Sequence, residues 1–242
     1  MLHAVFSDIH SNMEALEVVL ADAKKEGAGS YLCLGDIVGY GAEPKECLSR
    51  IKALNGIIIA GNHDYAACGK TSIEYFNEYA REAAEWTMMQ LDQDEQTYLA
   101  DLPLIYRTDQ YCLVHGSLDE PEIWEYIVGS ESAQRSFNVL REQILFIGHS
   151  HVPWIFVQDR NGTIESYRAS ELMLESNKKY IVNIGSVGQP RDLDPRASYC
   201  LFDDEAGHVR YRRLEYTIAK TQNKIRDAHL PEILALRLEM GR

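Results

Sequence analysis

Short apolar runs alternate with amphipathic segments along the first quarter of the chain. Residues 2–7, 31–34 and 57–60 are apolar runs of strand length, bounded by polar residues or glycine. Between them, apolar residues recur at helical spacing over residues 15–23, and a second helix is expected to begin at Pro44. The alternation predicts βαβ units arranged around a sheet.

The middle of the chain carries a longer helical pattern. Apolar residues keep helical spacing over residues 71–102, with a polar break at residues 93–96. Buried strands are expected at residues 111–114 and 144–147, with a helix over residues 130–143 between them. The sequence therefore predicts a helical layer followed by a return to the sheet.

The second half of the chain has the pattern of hairpins. Asn161-Gly162 and Ala206-Gly207 each separate two strand-like segments, so we expect the strands of this half to pair sequentially. A helical tail at about residues 217–242 is interrupted near Pro231, and its charged face is expected to contact solvent. We interpret residues 1–242 as a single domain that includes this tail.

The composition excludes several classes of protein. Among 242 residues, 24 are Lys or Arg and 37 are Asp or Glu, a net charge of −13 that opposes nucleic acid binding. No apolar run approaches the roughly 20 residues of a transmembrane helix, and no secretory signal is visible, so we expect no membrane association and a cytoplasmic location. The five cysteines lack C-x-x-C spacing and predict neither a disulfide framework nor a thiolate metal site.

Candidate chemistry lies in five short polar stretches, each following a predicted strand. Five of the eight histidines fall within them. In open α/β sheets, the loops after the carboxyl ends of the strands form the binding crevice, so these stretches are expected to converge. They are Asp8-Ile9-His10, Gly35-Asp36, Gly61-Asn62-His63-Asp64, His115-Gly116 and Gly148-His149-Ser150-His151.

Two pairs of potential metal ligands are spaced at i and i+2, namely Asp8 with His10 and His149 with His151. In extended backbone this spacing aims both side chains the same way. Imidazole and carboxylate ligands suit manganese, iron or zinc. Either pair alone is more typical of a hydrogen-bonded polar turn, whereas the complete ordered set favours a metal site.

The order of these motifs resembles that of the calcineurin-like metallophosphoesterases, over residues 2 to about 196. The series is D-x-H, G-D, G-N-H-D, H-G and G-H-x-H. Residues 34–41 and 183–191 are further similar to a small bacterial and archaeal branch, described as diadenosine-tetraphosphatase-like or phosphodiesterase-like. The resemblance implies an α/β fold of four layers, an αββα sandwich with two mixed sheets packed face to face and helices outside.

The resemblance also implies two metal sites that share one carboxylate. One ion would be held by Asp8, His10, Asp36 and His151, and the other by Asp36, Asn62, His115 and His149. A carboxylate suits the bridge because it offers two anionic oxygens, and paired catalytic ions lie about 3.5–4 Å apart. Two divalent ions carry more positive charge than two aspartates neutralise, so the site is expected to attract phosphate despite the negative chain.

Three further residues are candidates for direct roles in the reaction. His63 has no ligand role in the family pattern and is expected to act as general acid at the leaving oxygen, the alternative being a histidine that only supports the ligands. Asp64 is expected to orient that imidazole or to serve as a helix cap. Arg191 is expected to grip a substrate phosphate, or to be a structural turn residue paired with Asp192.

Residues 117–126 follow His115-Gly116 and carry Trp124 and Tyr126. The segment is interpreted either as a lid that selects substrates or as a loop that these two aromatic residues anchor.

These features together predict a phosphoesterase that depends on two divalent metal ions. The expected reaction is hydrolysis of a phosphate monoester or diester of a small nucleotide-like metabolite, by attack of a water held by the ions. The alternatives are a non-catalytic metal-binding scaffold of the same fold and a protein phosphatase. A metal-dependent amidohydrolase is disfavoured because the chain opens with D-x-H and lacks eight regular βα units. The motifs leave the metal pair and the oligomeric state open.

Overall fold

Two six-stranded β-sheets, each mixed in direction, form the centre of the computed structural model, which describes residues 1–242. The first sheet has the order β3-β2-β1-β11-β12-β9 and the second β4-β5-β6-β10-β7-β8. The strands are β1 (Leu2–Phe6), β2 (Ser30–Cys33), β3 (Ile57–Ile58), β4 (Ile105–Arg107), β5 (Tyr111–Val114), β6 (Ile144–Ile147), β7 (Trp154–Gln158), β8 (Ile164–Tyr167), β9 (Glu171–Met173), β10 (Lys179–Asn183), β11 (Ala197–Asp203) and β12 (His208–Leu214).

Eight α-helices flank the sheets. They are α1 (Met13–Lys25), α2 (Pro44–Lys52), α3 (Asn62–Ala67), α4 (Glu78–Gln90), α5 (Gln93–Asp101), α6 (Ser130–Val139), α7 (Ile218–Asp227) and α8 (Glu232–Met240). Local sequence explains their starts: Asn12 caps α1 through its side chain, Pro44 opens α2, and Asp92 with Glu95 forms a capping box at α5.

The alternation of side chains along the central strands builds the layers. Val5 on β1 packs with Phe146 of the other sheet in the core between the sheets, whereas its neighbours Ala4 and Phe6 face α1 and α2. Likewise Leu145 on β6 turns outward to pack against α6. The expected four-layer αββα sandwich is thus confirmed.

Strand pairing in the second half differs from the sequential order expected. The two hairpins, β7 with β8 and β11 with β12, are present. However, β10 lies between β6 and β7, and β11 leaves that sheet to pair antiparallel with β1. The pattern of apolar residues specifies which residues are buried on each strand but not which neighbour covers its edge.

The structure of residues 71–102 also differs from the helical region that was predicted there. Residues 71–77 form a loop rather than helix, and the polar residues 93–96 are the first turn of α5 and not a break. The chain turns at Leu91 and Asp92, because the Asp92 side chain accepts a hydrogen bond from the amide of Glu95 and starts a new helix there.

The C-terminal helices pack against the body of the molecule. Tyr40, on the loop after β2, contacts a buried apolar cluster that includes Leu234 and Leu238 of α8. Lys224 of α7 lies 2.6 Å from carboxylate oxygens of both Glu14 and Glu43. The break expected near Pro231 is present between α7 and α8.

No helix of this structure is both long enough and apolar enough to cross a membrane. All five cysteines are free thiols, and four of them are buried.

Candidate metal centre

The five polar stretches converge at one end of the two sheets. Potential ligand atoms form two groups, each with all its atoms within 4.8 Å of one another, and Asp36 belongs to both. The first group contains Asp8, His10, Asp36 and His151, and the second contains Asp36, His115 and His149. They come together because the parallel strands β1 and β2 of the first sheet and the parallel strands β5 and β6 of the second end on the same side of the sandwich.

In the first group the imidazoles face the carboxylates through Nε2. The Nε2 atom of His151 lies 3.1 Å from Oδ1 of Asp8 and 3.1 Å from Nε2 of His10. The Nε2 atom of His10 lies 3.6 Å from Oδ2 of Asp36. All four side chains are at most 2% exposed, so water does not compete for these atoms.

In the second group, Nε2 of His115 lies 3.2 Å from Oδ2 of Asp36. The ring of His149 lies 5.0 Å from the ring of His115, measured between centroids. Asn62, the first residue of α3, is buried with its Oδ1 atom unpaired. Its neutral carbonyl oxygen is thus available on the same helix that carries His63.

Backbone carbonyls hold three of the imidazoles through the opposite ring nitrogen. Nδ1 of His10 contacts the carbonyl of Val38 at 3.2 Å, and Nδ1 of His115 contacts that of Leu34 at 2.7 Å. Nδ1 of His151 lies 2.6 Å from the carbonyl of Gln189. Because a carbonyl only accepts, each Nδ1 carries a proton, so Nε2 is the ring nitrogen that a metal would bind once that nitrogen is unprotonated.

The two carboxylates of the centre each divide their oxygens between the backbone and the site. The amide of His149 donates to Oδ2 of Asp8 at 3.1 Å, and the amide of His63 donates to Oδ1 of Asp36 at 2.8 Å. A single oxygen of Asp36, Oδ2, therefore faces both His10 and His115. The sequence argument for two bridging oxygens is corrected here: one oxygen faces both groups.

The backbone at the candidate ligands is left-handed rather than extended. Asp8, His10 and Asp36 have φ values of 56°, 49° and 52°, and His149 and His151 have 64° and 61°. The i, i+2 pairs converge, but not for the reason expected from strand geometry. Such conformations are costly for residues with a side chain and cluster at functional sites.

Two glycines allow the carboxylates to approach the neighbouring backbone. A Cβ atom on Gly61 would lie 2.1 Å from Oδ1 of Asp36, and one on Gly148 would lie 2.4 Å from Oδ2 of Asp8. Any side chain at these two positions would displace the carboxylate.

The two carboxylates remain ionised although they are buried. Burial acts to raise the pKa of Asp8 and of Asp36, but the facing histidines outweigh it and hold both pKa values below the usual range. Burial acts to lower the pKa of His115, but the nearby Asp36 and Asp8 raise it to about 9. Concentrated negative charge is thus built into the centre.

Burial favours the neutral form of the other four imidazoles at the centre. Burial lowers the pKa of His10 and of His151, and it lowers the pKa of His63 to about 4 and that of His149 to about 3. A neutral imidazole offers a lone pair to a cation, whereas a protonated one does not.

Metal ions fit the residues present. Among the proposed metal ligands, three buried polar atoms lack a hydrogen-bond partner: Oδ1 of Asp8, Oδ1 of Asn62 and Nε2 of His115. Buried polar atoms are nearly always paired, and a coordinated cation satisfies such atoms. The mixed set of carboxylate, amide and imidazole donors is suited to manganese, iron or zinc.

His63 and Asp64 have different surroundings. The ring of His63 lies 4.4 Å from that of Tyr40 and 4.9 Å from that of Phe76, and the residue lines a cavity beside the centre. The carboxylate of Asp64 accepts hydrogen bonds from the amides of Ile37 at 2.9 Å and Gly61 at 3.0 Å. It has no bond to the imidazole, so the expectation that it orients His63 is replaced by the capping alternative.

Arg191 lies beside Tyr40 at the edge of the candidate site and has no carboxylate partner. Its guanidinium donates to Oε1 of Gln189 at 2.8 Å and lies 5.7 Å from the ring centre of Tyr40. The structural alternative paired it with Asp192, but that carboxylate contacts Arg213. The positive charge of Arg191 therefore remains free to meet an anion.

The loop after His115 is anchored by its aromatic residues and also borders the cavity. The ring of Trp124 packs edge-on against Tyr65 at 5.7 Å, and Tyr126 stacks on His149 at 4.0 Å. Both residues line the same cavity as His63. The sequence did not single out Phe76, because the helical pattern placed its loop inside a helix.

Comparison with known proteins gives consistent matches over the whole chain. A family model described as calcineurin-like phosphoesterase superfamily domain matches residues 1–207. An uncharacterized protein of Methanocaldococcus jannaschii is 43% identical, covering 99% of this chain and 98% of that protein. The crystal structure of a metallophosphoesterase from Sphaerobacter thermophilus has a TM-score of 0.89 at 42% identity, covering 100% of this chain and 99% of that chain. A hypothetical protein from Pyrococcus horikoshii OT3 shares the fold with a TM-score of 0.81 at 22% identity, over 100% of this chain and 98% of that chain.

Proposed function

We propose that the two groups of buried ligands hold a pair of divalent ions at which a phosphate monoester or diester is hydrolysed. The proposal proceeds from the family, because the chain belongs to the calcineurin-like phosphoesterase superfamily. The resemblance seen in the motifs is confirmed at the level of the superfamily. The chain is accordingly a metal-dependent phosphoesterase. The number of ions, the roles of single residues and the substrate belong to the proposal.

The observation that carries the proposal is the position of Asp36. It belongs to both ligand groups, and its Oδ2 atom lies 3.6 Å from Nε2 of His10 and 3.2 Å from Nε2 of His115. An anionic oxygen shared by two sets of donors is the arrangement that two neighbouring cations require.

The assignment of ligands follows the two groups. Asp8, His10, Asp36 and His151 are proposed to hold one ion, and Asp36, Asn62, His115 and His149 the other. Asn62 joins the second set because its buried Oδ1 atom has no other partner. Two aspartates do not cancel two divalent ions, so the loaded centre attracts an anionic substrate although the whole chain carries a charge of −13.

Divalent ions, when bound, neutralise charge on the phosphoryl oxygens and make the attacking water more acidic. The residues of the chain position and protonate the substrate. Hydrolysis joins the oxygen of water to phosphorus and breaks the bond from phosphorus to the leaving oxygen, which then needs a proton. His63 is proposed to deliver that proton, since it borders the cavity next to Asn62 and His149 but belongs to neither group. Burial holds its pKa at about 4, and the negative charge of a bound phosphate ester would raise that pKa so that the imidazole takes up the proton it donates.

Arg191 is proposed to bind a second set of phosphoryl oxygens. Its guanidinium has no carboxylate partner, and its planar donors match the geometry of a phosphate. The presence of His63 beside the complete donor set disfavours a metal-binding scaffold that has lost catalysis, because such a scaffold needs the ligands but no proton donor next to them.

A substrate panel tests the proposal. Metal-free protein is reconstituted separately with manganese, iron, zinc or magnesium and assayed with 4-nitrophenyl phosphate, bis(4-nitrophenyl) phosphate and nucleotides. We expect hydrolysis of at least one ester class with at least one metal. Bound metal without hydrolysis of any ester would contradict catalysis and favour the scaffold.

A further inference from the structure

A cavity of about 700 Å³ opens directly beside the candidate metal centre. Its volume falls within the range typical of sites for small molecules. Asn62, His63 and His149 form part of its wall, so a group held there is in contact with the second ligand group and with the proposed general acid.

Five aromatic side chains from three separate segments contribute to the remaining wall. Tyr40 follows β2, Tyr75 and Phe76 lie on the loop before α4, and Trp124 and Tyr126 lie on the loop after β5. Their rings surround the space rather than fill it. Flat ligands stack on such surfaces.

Several of these apolar side chains are left in water. Tyr75 is 93% exposed and Tyr126 is 47% exposed, and Ile123 beside them is 60% exposed. The three residues border one cavity from two facing loops. Apolar surface grouped in this way is typical of a site that a ligand covers.

The charge of the cavity excludes a phosphate from its interior. No lysine or arginine lines it, and Glu122 is the one carboxylate in its wall. An anionic group therefore finds no positive partner here and would be drawn instead to the proposed pair of cations. The part of the ester that enters the cavity must be neutral, and it lies on the side where His63 meets the leaving oxygen.

We infer that the cavity binds a nucleoside as the leaving group, with the base stacked against Tyr75 and Phe76. This inference rests on the proposed function and names its substrate class. Polar atoms for the base edge and the sugar are present at Asn77 and Glu122. The Oδ1 atom of Asn77 accepts from the amide of Ala80, which leaves its NH₂ group free to donate.

The test compares substrates that differ only in the base. Adenosine 5′-monophosphate is compared with ribose 5-phosphate, and the methyl diesters of both are compared in the same way, using metal-reconstituted protein. We expect kcat/KM to be at least about tenfold higher with the base, because stacking on aromatic side chains favours each base by that order. Tyr75→Leu and Phe76→Leu should reduce this ratio at least threefold, whereas Tyr167→Leu, on the remote strand β8, should retain it.

A binding measurement separates this inference from the proposed function. Adenosine and ribose are titrated into the protein, with and without metal, and followed by NMR. We expect adenosine to bind at least about tenfold more tightly than ribose, and Tyr75→Leu to weaken adenosine alone. Equal binding of the two probes, or a substrate ratio below twofold, would overturn the inference even if other esters are hydrolysed. Adenosine binding without any ester hydrolysis would instead contradict the proposed function alone.

Discussion

The backbone amide of His63 donates a hydrogen bond of 2.8 Å to Oδ1 of Asp36. This bond connects the residue proposed to protonate the leaving group with the carboxylate proposed to lie between the two ions. Because the contact uses the main chain, the imidazole can be removed without breaking it. The two roles can therefore be tested separately.

Replacement of His63 by alanine should slow hydrolysis of alkyl phosphates by about 10²–10⁴-fold, the usual contribution of a general acid. Aryl phosphates should lose much less, because a phenolate leaves without prior protonation. Steady-state kinetics on a matched alkyl and aryl ester checks the difference. The metal content, measured in parallel, should stay at the wild-type value, and equal losses on both esters would contradict the role.

Replacement of Gly61 by alanine should displace Asp36, since the new Cβ would lie 2.1 Å from its Oδ1 atom. We expect bound metal to fall and unfolding to become easier by about 1–3 kcal/mol, the usual cost of overpacking. Gly129→Ala is the matched control, because a Cβ there has no neighbour within 4 Å. Normal metal content in Gly61→Ala would show that the close approach is not required.

Replacement of Arg191 by glutamine should raise KM for a substrate with more than one phosphate by about tenfold or more, as expected for hydrogen bonds to a charged group. The value of kcat should change less, since this residue lies at the rim. Arg196→Gln is the control, because the guanidinium of Arg196 is already paired with Asp194 at 2.7 Å. A fall in kcat with an unchanged KM would contradict a binding role.

The ion pair between Glu14 and Lys224 should make docking of α7 sensitive to acid. Although burial acts to raise the pKa of Glu14, its hydrogen bonds to Lys224 and Lys220 lower it from 4.5 to about 2. A carboxyl group with a depressed pKa stabilises the folded state above its unfolded pKa and loses that contribution as the pH falls. The Tm of wild type should therefore exceed that of Glu14→Gln near neutral pH, and this gap should shrink between about pH 4.5 and pH 2. A gap that is constant with pH would contradict the ionic contribution.

The sequence predicted which residues form the candidate site more accurately than it predicted the backbone conformation and the strand order around them. Asp8, Asp36 and His115 were brought together correctly, because polar residues after the parallel strands of both sheets lie on the same side of the sandwich. The left-handed backbone at these residues was not predictable, since that conformation is imposed by the surrounding packing. The placement of β10 in the second sheet and β11 in the first was not predicted, because apolar patterns do not identify the neighbouring strand.

The content of the cavity wall was equally difficult to predict. Phe76 reaches the ring of His63 only because residues 71–77 form a loop. The apolar residues of this region keep helical spacing, so the sequence predicted a helix in place of that loop. The capping role of Asp64 was recognised as an alternative, but choosing it required the observed bonds to the amides of Ile37 and Gly61.

The most direct measurement of the central claim is the metal content of wild type and of Asp36→Asn after reconstitution with manganese or zinc, determined by elemental analysis. We expect two ions per chain in wild type and a loss at both positions in the variant, because one anionic oxygen serves both ligand groups. Two ions retained in Asp36→Asn, or a single ion in fully loaded wild type, would contradict the paired centre.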